Sequence, residues 1–292
     1  MTRTDMMRTD MMRTRSWAGI APAVLDALAA WGIWRARCRA CGAPFDPGAG
    51  PHGRPLGLDR MLCPACAPHL AVRTGGFCPR CGQMYALDHE PPRLCGTCQA
   101  TPPPWERLVF HGPYDGLLRQ LLLDFKFHAR LGVGGLLRAM AVEALIARDG
   151  GGPEGACHGC SDMPPRIPPE RAVRYDLVAP IPLHATRLVW RGYNQSLELA
   201  RLAARWSRAT LDHRVMVRRR ATRPQAELGR HEREANLKGA FGVDKARVAG
   251  RTILLVDDIM TTGATLREAS RSLLAAGAAR VDVLVLARTP QA

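Results

Sequence analysis

Long apolar runs are absent from this sequence of 292 residues. The most apolar early segment, residues 16–34, contains Pro22 and Asp26 and lacks the roughly 20 uninterrupted apolar residues that a membrane-spanning helix needs. It also lacks a small-residue cleavage site, so we expect no secretory signal and a cytoplasmic protein. Its helical spacing predicts an amphipathic helix over residues 16–35. Residues 1–15 repeat short MRT units and are expected to form a disordered tail without a function of its own.

Lysine is also scarce: of the 41 Lys and Arg residues, only Lys126, Lys238 and Lys245 are Lys. The formal net charge is +15. A basic chain attracts polyanions through phosphate charge alone, so this charge does not establish specific nucleic-acid binding. A retained Lys in an Arg-rich chain can mark a position that needs a compact ammonium. Lys126 is therefore a candidate catalytic residue near a phosphate, and a solvated helix end is the alternative.

Cysteine is plentiful, with ten residues in a chain that lacks an export signal. Because the cytosol keeps thiols reduced, this number indicates metal binding rather than disulfides. Two CxxC turns complete a tetrahedral thiolate shell around Zn²⁺, so four turns predict two structural zinc sites in a double zinc ribbon over residues 36–100. Serial pairing of the turns is the simplest arrangement, and the spacing leaves a cross-braced one open. The eight predicted ligands are Cys38, Cys41, Cys63, Cys66, Cys78, Cys81, Cys95 and Cys98.

A fifth CxxC, formed by Cys157 and Cys160, lies alone in a Gly/Pro-rich stretch. We expect residues 149–170 to form an exposed loop insertion that binds nothing. His158 offers a third ligand in the alternative in which this loop holds a metal.

A stiff TPPP linker at residues 101–104 precedes the second predicted domain, residues 105–292. Helical and strand patterns alternate along this domain. Because its strands are apolar without alternation and are separated by helices, they predict an α/β fold with a parallel sheet covered on both faces. The predicted strands are 175–182, 252–256 and 281–287, and the predicted helices lie around 118–125, 137–144, 199–206 and 265–276.

The chemistry concentrates directly after the predicted strand 252–256. Two carboxylates, Asp257 and Asp258, are followed by a loop of small hydroxyl and glycine residues that opens a helix. Ligands bind at the carboxyl ends of strands in such sheets, and the free N–H groups at a helix start favour a phosphate. We therefore expect the carboxylates to face the hydroxyls of a sugar whose 5′-phosphate lies in the loop.

This segment, VDDIMTTGAT, resembles the motif of type I phosphoribosyltransferases that binds phosphoribosyl pyrophosphate (PRPP). In that family the paired acids contact the ribose hydroxyls and the Thr/Gly loop wraps the 5′-phosphate. The resemblance implies catalytic roles for the two acids, and a PRPP site formed by Asp257, Asp258, Thr261, Thr262, Gly263, Ala264 and Thr265.

Further motifs narrow the resemblance to the ComF family over residues 38–288. They are the four CxxC pairs, LLLDFKFH, APIPLHATRLVWRGYNQS, RPQAELGRHEREANLKGAF and RVDVLVLAR. Membership implies a type I phosphoribosyltransferase fold behind a double zinc ribbon, PRPP bound with Mg²⁺, transfer of the phosphoribosyl group to an unidentified acceptor, and a role in DNA uptake. The alternative is a non-catalytic module that binds PRPP or single-stranded DNA and serves competence proteins.

The pyrophosphate is expected to be held by arginines. Ala185 and Thr186 stand where the family usually has Pro and Arg, which leaves Arg187 and Arg191 to serve. The charged stretch 217–236 is similar in position to the flexible loop of related transferases, which closes over PRPP and neutralises the leaving pyrophosphate. A solvated basic loop is the alternative. The candidates within this stretch are Arg223, Arg230 and Arg233.

Overall fold

The computed structural model describes residues 36–47, 54–127, 131–149, 173–220 and 237–291. Contacts divide the chain into two units, Met1–Ala36 and Arg37–Ala292, and nearly all of the described residues belong to the second. Several sequence predictions lie outside the described residues: the tail and helix over residues 1–35, the insertion beyond Asp149 with Cys157, His158 and Cys160, and the loop arginines Arg223, Arg230 and Arg233.

Ten strands are described. They are β1 (Ala36–Arg37), β2 (Pro44–Phe45), β3 (Leu108–Pro113), β4 (Leu177–Pro180), β5 (Thr210–Leu211), β6 (Met216–Arg218), β7 (Phe241–Val243), β8 (Thr252–Val256), β9 (Ile259–Met260) and β10 (Arg280–Arg288).

Seven α-helices accompany the strands, and two short 3₁₀ segments (Pro55–Arg60 and Pro68–Leu70) lie among the first cysteines. The α-helices are α1 (Gly96–Ala100), α2 (Gly116–Phe127), α3 (Leu131–Arg148), α4 (Ala185–Arg191), α5 (Gln195–Ser207), α6 (Lys245–Val248) and α7 (Ala264–Ala275). Among the described residues, no helix combines the length and apolarity needed to cross a membrane.

A parallel sheet forms the centre of the second unit. Its strand order is β3-β10-β8-β4-β5, with β9 paired to the end of β10. Val283 of β10 lies opposite Leu108 of β3 and Leu255 of β8, so β10 has a neighbour on each side. Because helices cover both faces of a parallel sheet, its strands are continuously apolar. All residues of β10 after the first are buried, as this predicts.

The predicted α/β fold class is confirmed. Strand β8 has the predicted limits, and β10 and α7 differ from the predictions by one residue at each end. Helix α2 buries the residues whose spacing predicted it: Leu118, Leu121, Leu122 and Phe125. The sequence did not predict the antiparallel ribbon of β6 and β7, in which Met216 lies opposite Val243 and Arg218 lies opposite Phe241.

Candidate functional site

The eight cysteines of the four CxxC pairs gather in two groups of four. The first cluster contains Cys38, Cys41, Cys63 and Cys66, and the second contains Cys78, Cys81, Cys95 and Cys98. Within each cluster all Sγ atoms lie within 4.8 Å of one another, and no disulfide joins any of them. The pairing is therefore serial.

Distances within the clusters fit zinc. The Sγ atoms of Cys41 and Cys63 are 3.8 Å apart, and those of Cys81 and Cys95 are 3.6 Å apart. A tetrahedron with Zn–S bonds of about 2.3 Å has sulfur–sulfur edges of about 3.8 Å. Each cluster can thus hold one Zn²⁺ with four thiolates, which fills all four positions and leaves none for catalysis.

Backbone N–H groups support thiolates in both clusters. The N–H of Cys63 donates to the Sγ of Cys38, and the N–H of Cys98 donates to the Sγ of Cys95, both at 3.4 Å. A hydrogen bond from the side chain of Cys81 outweighs burial and lowers the pKa of the Cys78 thiol to about 4. In the same cluster a hydrogen bond with Cys78 and burial raise the pKa of Cys81, and burial raises the pKa of Cys98 to about 12. Because the thiolate is the form that binds metal, zinc displaces protons from these two thiols when it binds.

The second cluster is continuous with the core beneath the sheet. Phe77, directly before Cys78, is fully buried and packs edge-to-face on Phe110 of β3 with ring centroids 5.2 Å apart. The fully buried Trp105 donates from its indole Nε1 to the carbonyl of Arg80 at 2.6 Å. Residues next to the cysteines, Phe77 and Arg80, therefore connect the second cluster to the core of the sheet.

The acid pair lies where β8 ends, at the carboxyl edge of the sheet. Lys126, at the end of α2, places its Nζ 2.8 Å from Oδ2 of Asp258. Ser196, in the first turn of α5, donates from Oγ to Oδ1 of Asp257 at 2.8 Å. The structure thus brings together Asp257, Asp258 and Lys126, which the sequence singled out, and adds Ser196 to them.

Burial and the neighbouring charge of Asp258 raise the pKa of Asp257 from 3.8 to about 7. Burial opposes the charged form of Lys126, but the attraction of Asp258 outweighs it and raises the pKa of this ammonium. Near neutral pH the site therefore holds one ammonium beside a carboxyl group that gains and loses its proton.

The loop after the acid pair has the shape of a phosphate cradle. Gly263 adopts a left-handed backbone with φ of 79°, and a Cβ there would come within 2.6 Å of Cε of Met260. Only glycine meets both conditions without strain. Helix α7 begins at the next residue, Ala264, whose N–H donates to Oγ1 of Thr262 at 3.4 Å, so the start of the helix lies directly beside the loop. Thr261 is exposed, and Thr262 and Thr265 are half-buried.

Three arginines contribute positive charge near the acid pair. Arg187 and Arg191 lie on α4, directly after β4. Burial and the charge of Arg191 lower the pKa of Arg187, while Arg218 of β6 feels the charges of both Arg187 and Asp257. Neighbouring guanidinium groups repel one another, and a bound polyanion would relieve this repulsion. The carboxyl edge of the sheet therefore offers carboxylates for hydroxyl groups and cations for phosphates.

The raised pKa of Asp257 predicts a pH-dependent stability. Between pH about 4 and about 7 the native state keeps this proton and the unfolded state has lost it. The free energy of unfolding should therefore fall as the pH rises through this window. Denaturant titrations from pH 4 to 8 should show this fall in the wild type and a smaller one in Asp257→Asn. An equal fall in both proteins would contradict the assignment. Asp258→Asn should lower the upper end of the window, because it removes the neighbouring charge that helps to raise the pKa of Asp257.

Parallel strands, an acid pair at their carboxyl edge and a glycine loop opening a helix define the phosphoribosyltransferase class of fold. The family model described as "Phosphoribosyl transferase domain" matches residues 206–292. The chain is 36% identical over 238 residues to "DNA utilization protein YhgH" of Escherichia coli (strain K12), an alignment that covers 80% of this chain and 94% of that protein.

Two further relatives carry competence names. "Competence protein F" of Haemophilus influenzae is 30% identical over 231 residues, which cover 78% of this chain and 90% of that protein. "Competence protein ComFC" of Bacillus subtilis is 26% identical over 242 residues, covering 79% and 85%. The chain belongs to the ComF family.

Proposed function

We propose that this protein binds PRPP together with Mg²⁺ and transfers the phosphoribosyl group to an acceptor. The observation that carries the proposal is the end of β8, where the ammonium of Lys126 pairs with Asp258 of the acid pair and the chain continues through the loop at Gly263 into α7. The family match supports the same chemistry. A cytoplasmic location is part of this proposal.

The residues at the end of β8 have separate roles in this proposal. Asp257 and Asp258 accept hydrogen bonds from the 2′- and 3′-hydroxyls of the ribose, while the threonine loop and the first N–H groups of α7 hold the 5′-phosphate. Ser196 orients Asp257, and Lys126 orients Asp258. Mg²⁺, which arrives with PRPP, neutralises charge on the pyrophosphate.

The chemical step needs no covalent residue. The bond between C1 of the ribose and the pyrophosphate oxygen breaks, pyrophosphate leaves with its electron pair, and a nucleophilic atom of the acceptor bonds to C1. In this proposal Arg187 and Arg191 of α4 receive the departing charge, so the protein acts by positioning and electrostatic stabilisation.

Calorimetric titration of the zinc-loaded protein with PRPP and Mg²⁺ tests the proposal, with ribose 5-phosphate as a ligand that lacks pyrophosphate. We expect PRPP to bind more tightly than ribose 5-phosphate. Release of pyrophosphate during incubation with nucleobases or oligonucleotides then identifies the acceptor. Absence of PRPP binding by the folded protein would reject the proposal.

Single-stranded DNA binding is a second candidate function, and an exposed aromatic pair favours it. None of the residues of α4 is buried, and the side chain of Trp190 is 72% exposed. Its ring lies 6.4 Å from that of Phe127, which is 52% exposed. Arg191 stands over both rings, at 5.4 Å from Phe127 and 6.0 Å from Trp190. Aromatic faces beside cations are the platform on which unpaired bases stack. The names of the relatives refer to DNA utilization and competence.

Trp190→Ala tests this second candidate. Because stacking is worth about 1–3 kcal/mol per base, we expect the affinity for an oligothymidylate to fall by about 5- to 100-fold at fixed salt. The thermal midpoint should stay within about 2 °C of the wild type, since exposed substitutions change stability little. Leu94→Ala, at another exposed apolar side chain, is the matched control. An unchanged oligonucleotide affinity in Trp190→Ala would remove α4 from any DNA site.

A further inference from the structure

The buried arginine that ends β10 connects the second cysteine cluster to the loop after the acid pair. Arg288 is 1% exposed. Its Nε donates to the carbonyl of Cys81 at 2.9 Å. On the other side its Nη1 donates to the carbonyls of Met260, at 3.1 Å, and Thr261. The same Nη1 reaches the carbonyl of Thr289 at 2.9 Å. One side chain therefore fixes a zinc knuckle and the start of the phosphate loop.

The chemistry of arginine suits this connection. Its planar guanidinium sends donors in fixed directions, which lysine cannot reproduce from a single flexible ammonium. Among the described residues Arg288 forms no ion pair with a carboxylate. A Zn²⁺ ion with four thiolates would carry two net negative charges, and the guanidinium of Arg288, bonded to the carbonyl of Cys81, would then lie beside a counter-charge. Arg288 also lines a cavity of about 370 Å³ beside the second cluster, together with Arg267 and Arg271 of α7.

Tight packing makes the connection stiff. A Cβ at Gly82, in the knuckle of Cys81, would come within 3.2 Å of Cγ of Arg288 and within 2.8 Å of Cδ2 of Leu108. Trp105 forms a second path between the same two places. Its indole bonds the carbonyl of Arg80, and its ring lies 3.7 Å from where a Cβ of Gly263 would be. A shift of the knuckle is therefore passed on to the loop.

The first cluster is attached elsewhere. Arg54 donates to both carboxylate oxygens of Glu143 on α3, at 2.9 and 2.7 Å, and to the carbonyl of Leu70 at 2.9 Å. His111 shares that carboxylate at 3.0 Å. Within the described part of the chain, these bonds lead to α3 and β3 and not to the phosphate loop. The two clusters thus differ in what they support.

We infer that Arg288 is a positioning residue that couples metal binding at the second cluster to PRPP binding at the phosphate loop, while the first cluster is not coupled. The inference deepens the proposed function and rests on it. Coupling between two sites is reciprocal. Zinc at the second cluster should strengthen PRPP binding, and PRPP should strengthen retention of zinc at that cluster by the same factor.

Differential alkylation of the wild-type protein is the first test. The zinc-loaded protein is treated with a chelator and N-ethylmaleimide, with and without PRPP and Mg²⁺, and the modified cysteines are identified by mass spectrometry. We expect PRPP to slow modification of Cys78, Cys81, Cys95 and Cys98 by about fivefold or more, the lower end of typical couplings, and to leave the other four cysteines unchanged. Equal protection of both clusters, or of neither, would overturn the inference.

Substitution of the connecting arginine is the second test. Arg288→Lys keeps the charge and loses the fork, and Arg54→Lys makes the same change at the attachment of the first cluster. We expect Arg288→Lys to weaken PRPP binding by about 5- to 100-fold and to abolish the selective protection of the second cluster. Arg54→Lys should retain the wild-type PRPP affinity and the selective protection of the second cluster. Equal effects of the two variants would show a general loss of stability and contradict the positioning role.

A ligand-free measurement separates this inference from the proposed function. Hydrogen exchange of the backbone amides of residues 259–265 should be faster in Arg288→Lys than in the wild type, and unchanged in Arg54→Lys. If the wild type binds no PRPP, the proposed function fails and this measurement still decides the connection. Unchanged exchange of these amides in a folded Arg288→Lys protein would reject it.

Discussion

Replacing Asp257 and Asp258 together with Asn should lower the affinity for PRPP by at least about 100-fold, since each lost hydrogen bond to a charged group is worth about 1.5–3 kcal/mol. The amides keep the size of the carboxyl groups but lose the charge that favours hydroxyl donors. They also leave the ammonium of Lys126 without the partner that lies 2.8 Å away. Calorimetric titration with PRPP and Mg²⁺ measures the effect.

The matched control for this pair is Asp176→Asn. Asp176 accepts a hydrogen bond from the N–H of Thr252 at 2.8 Å, so it contacts the opposite end of the same strand, β8. The Asp176→Asn variant should bind PRPP with unchanged affinity. The double variant must also retain its zinc and its circular dichroism spectrum. PRPP binding by the double variant at wild-type strength would place the ribose away from the acid pair.

Replacing Cys98 with Ser should reduce the zinc content from about two ions per chain to about one, the numbers set by four thiolates per site. We expect the thermal midpoint to fall by about 10 °C or more, because structural zinc contributes folding free energy directly. Phe77 precedes this cluster and belongs to the core beneath the sheet, so loosening of the cluster reaches the core. Metal analysis and differential scanning calorimetry provide the two readouts.

Cys157→Ser combined with Cys160→Ser is the control for the cluster variant. The sequence predicts that this fifth CxxC binds nothing, so the double variant should keep about two zinc ions and the wild-type midpoint. A lower zinc content in this control would assign a metal to the insertion. Unchanged zinc content in Cys98→Ser would contradict the four-thiolate site.

Local patterns were sufficient to predict the main elements of the fold. Strand β8 was predicted from a continuous apolar run, because it is buried on both faces. Helix α7 was predicted from helical spacing of its apolar residues, because it is buried on one face. The CxxC spacing likewise predicted that the eight cysteines can hold two metal ions, and they gather in two groups of four. The choice between serial and cross-braced pairing needed the structure, since the lengths between the turns permit both arrangements.

Contacts between distant segments could not be predicted in the same way. Ser196 ends the motif APIPLHATRLVWRGYNQS, yet its bond to Asp257 depends on how α5 packs beside β8. Arg288 ends an apolar strand and carries no signal of its own. The sequence also did not predict that Trp190 is exposed to solvent, because this depends on how α4 packs on the rest of the protein. Lys126 was singled out by composition, and the structure places it at the acid pair.

The position of β10 has a consequence for biosynthesis. This strand is the last of the described elements to be translated, and it lies between β3 and β8. A nascent chain that ends before Arg280 therefore holds two apolar strands with a gap between them. The sheet cannot close during translation by adding strands to one edge, and its final assembly must wait until the residues that fill the gap have left the ribosome. Until then the exposed strand edges are open to chaperones and to aggregation.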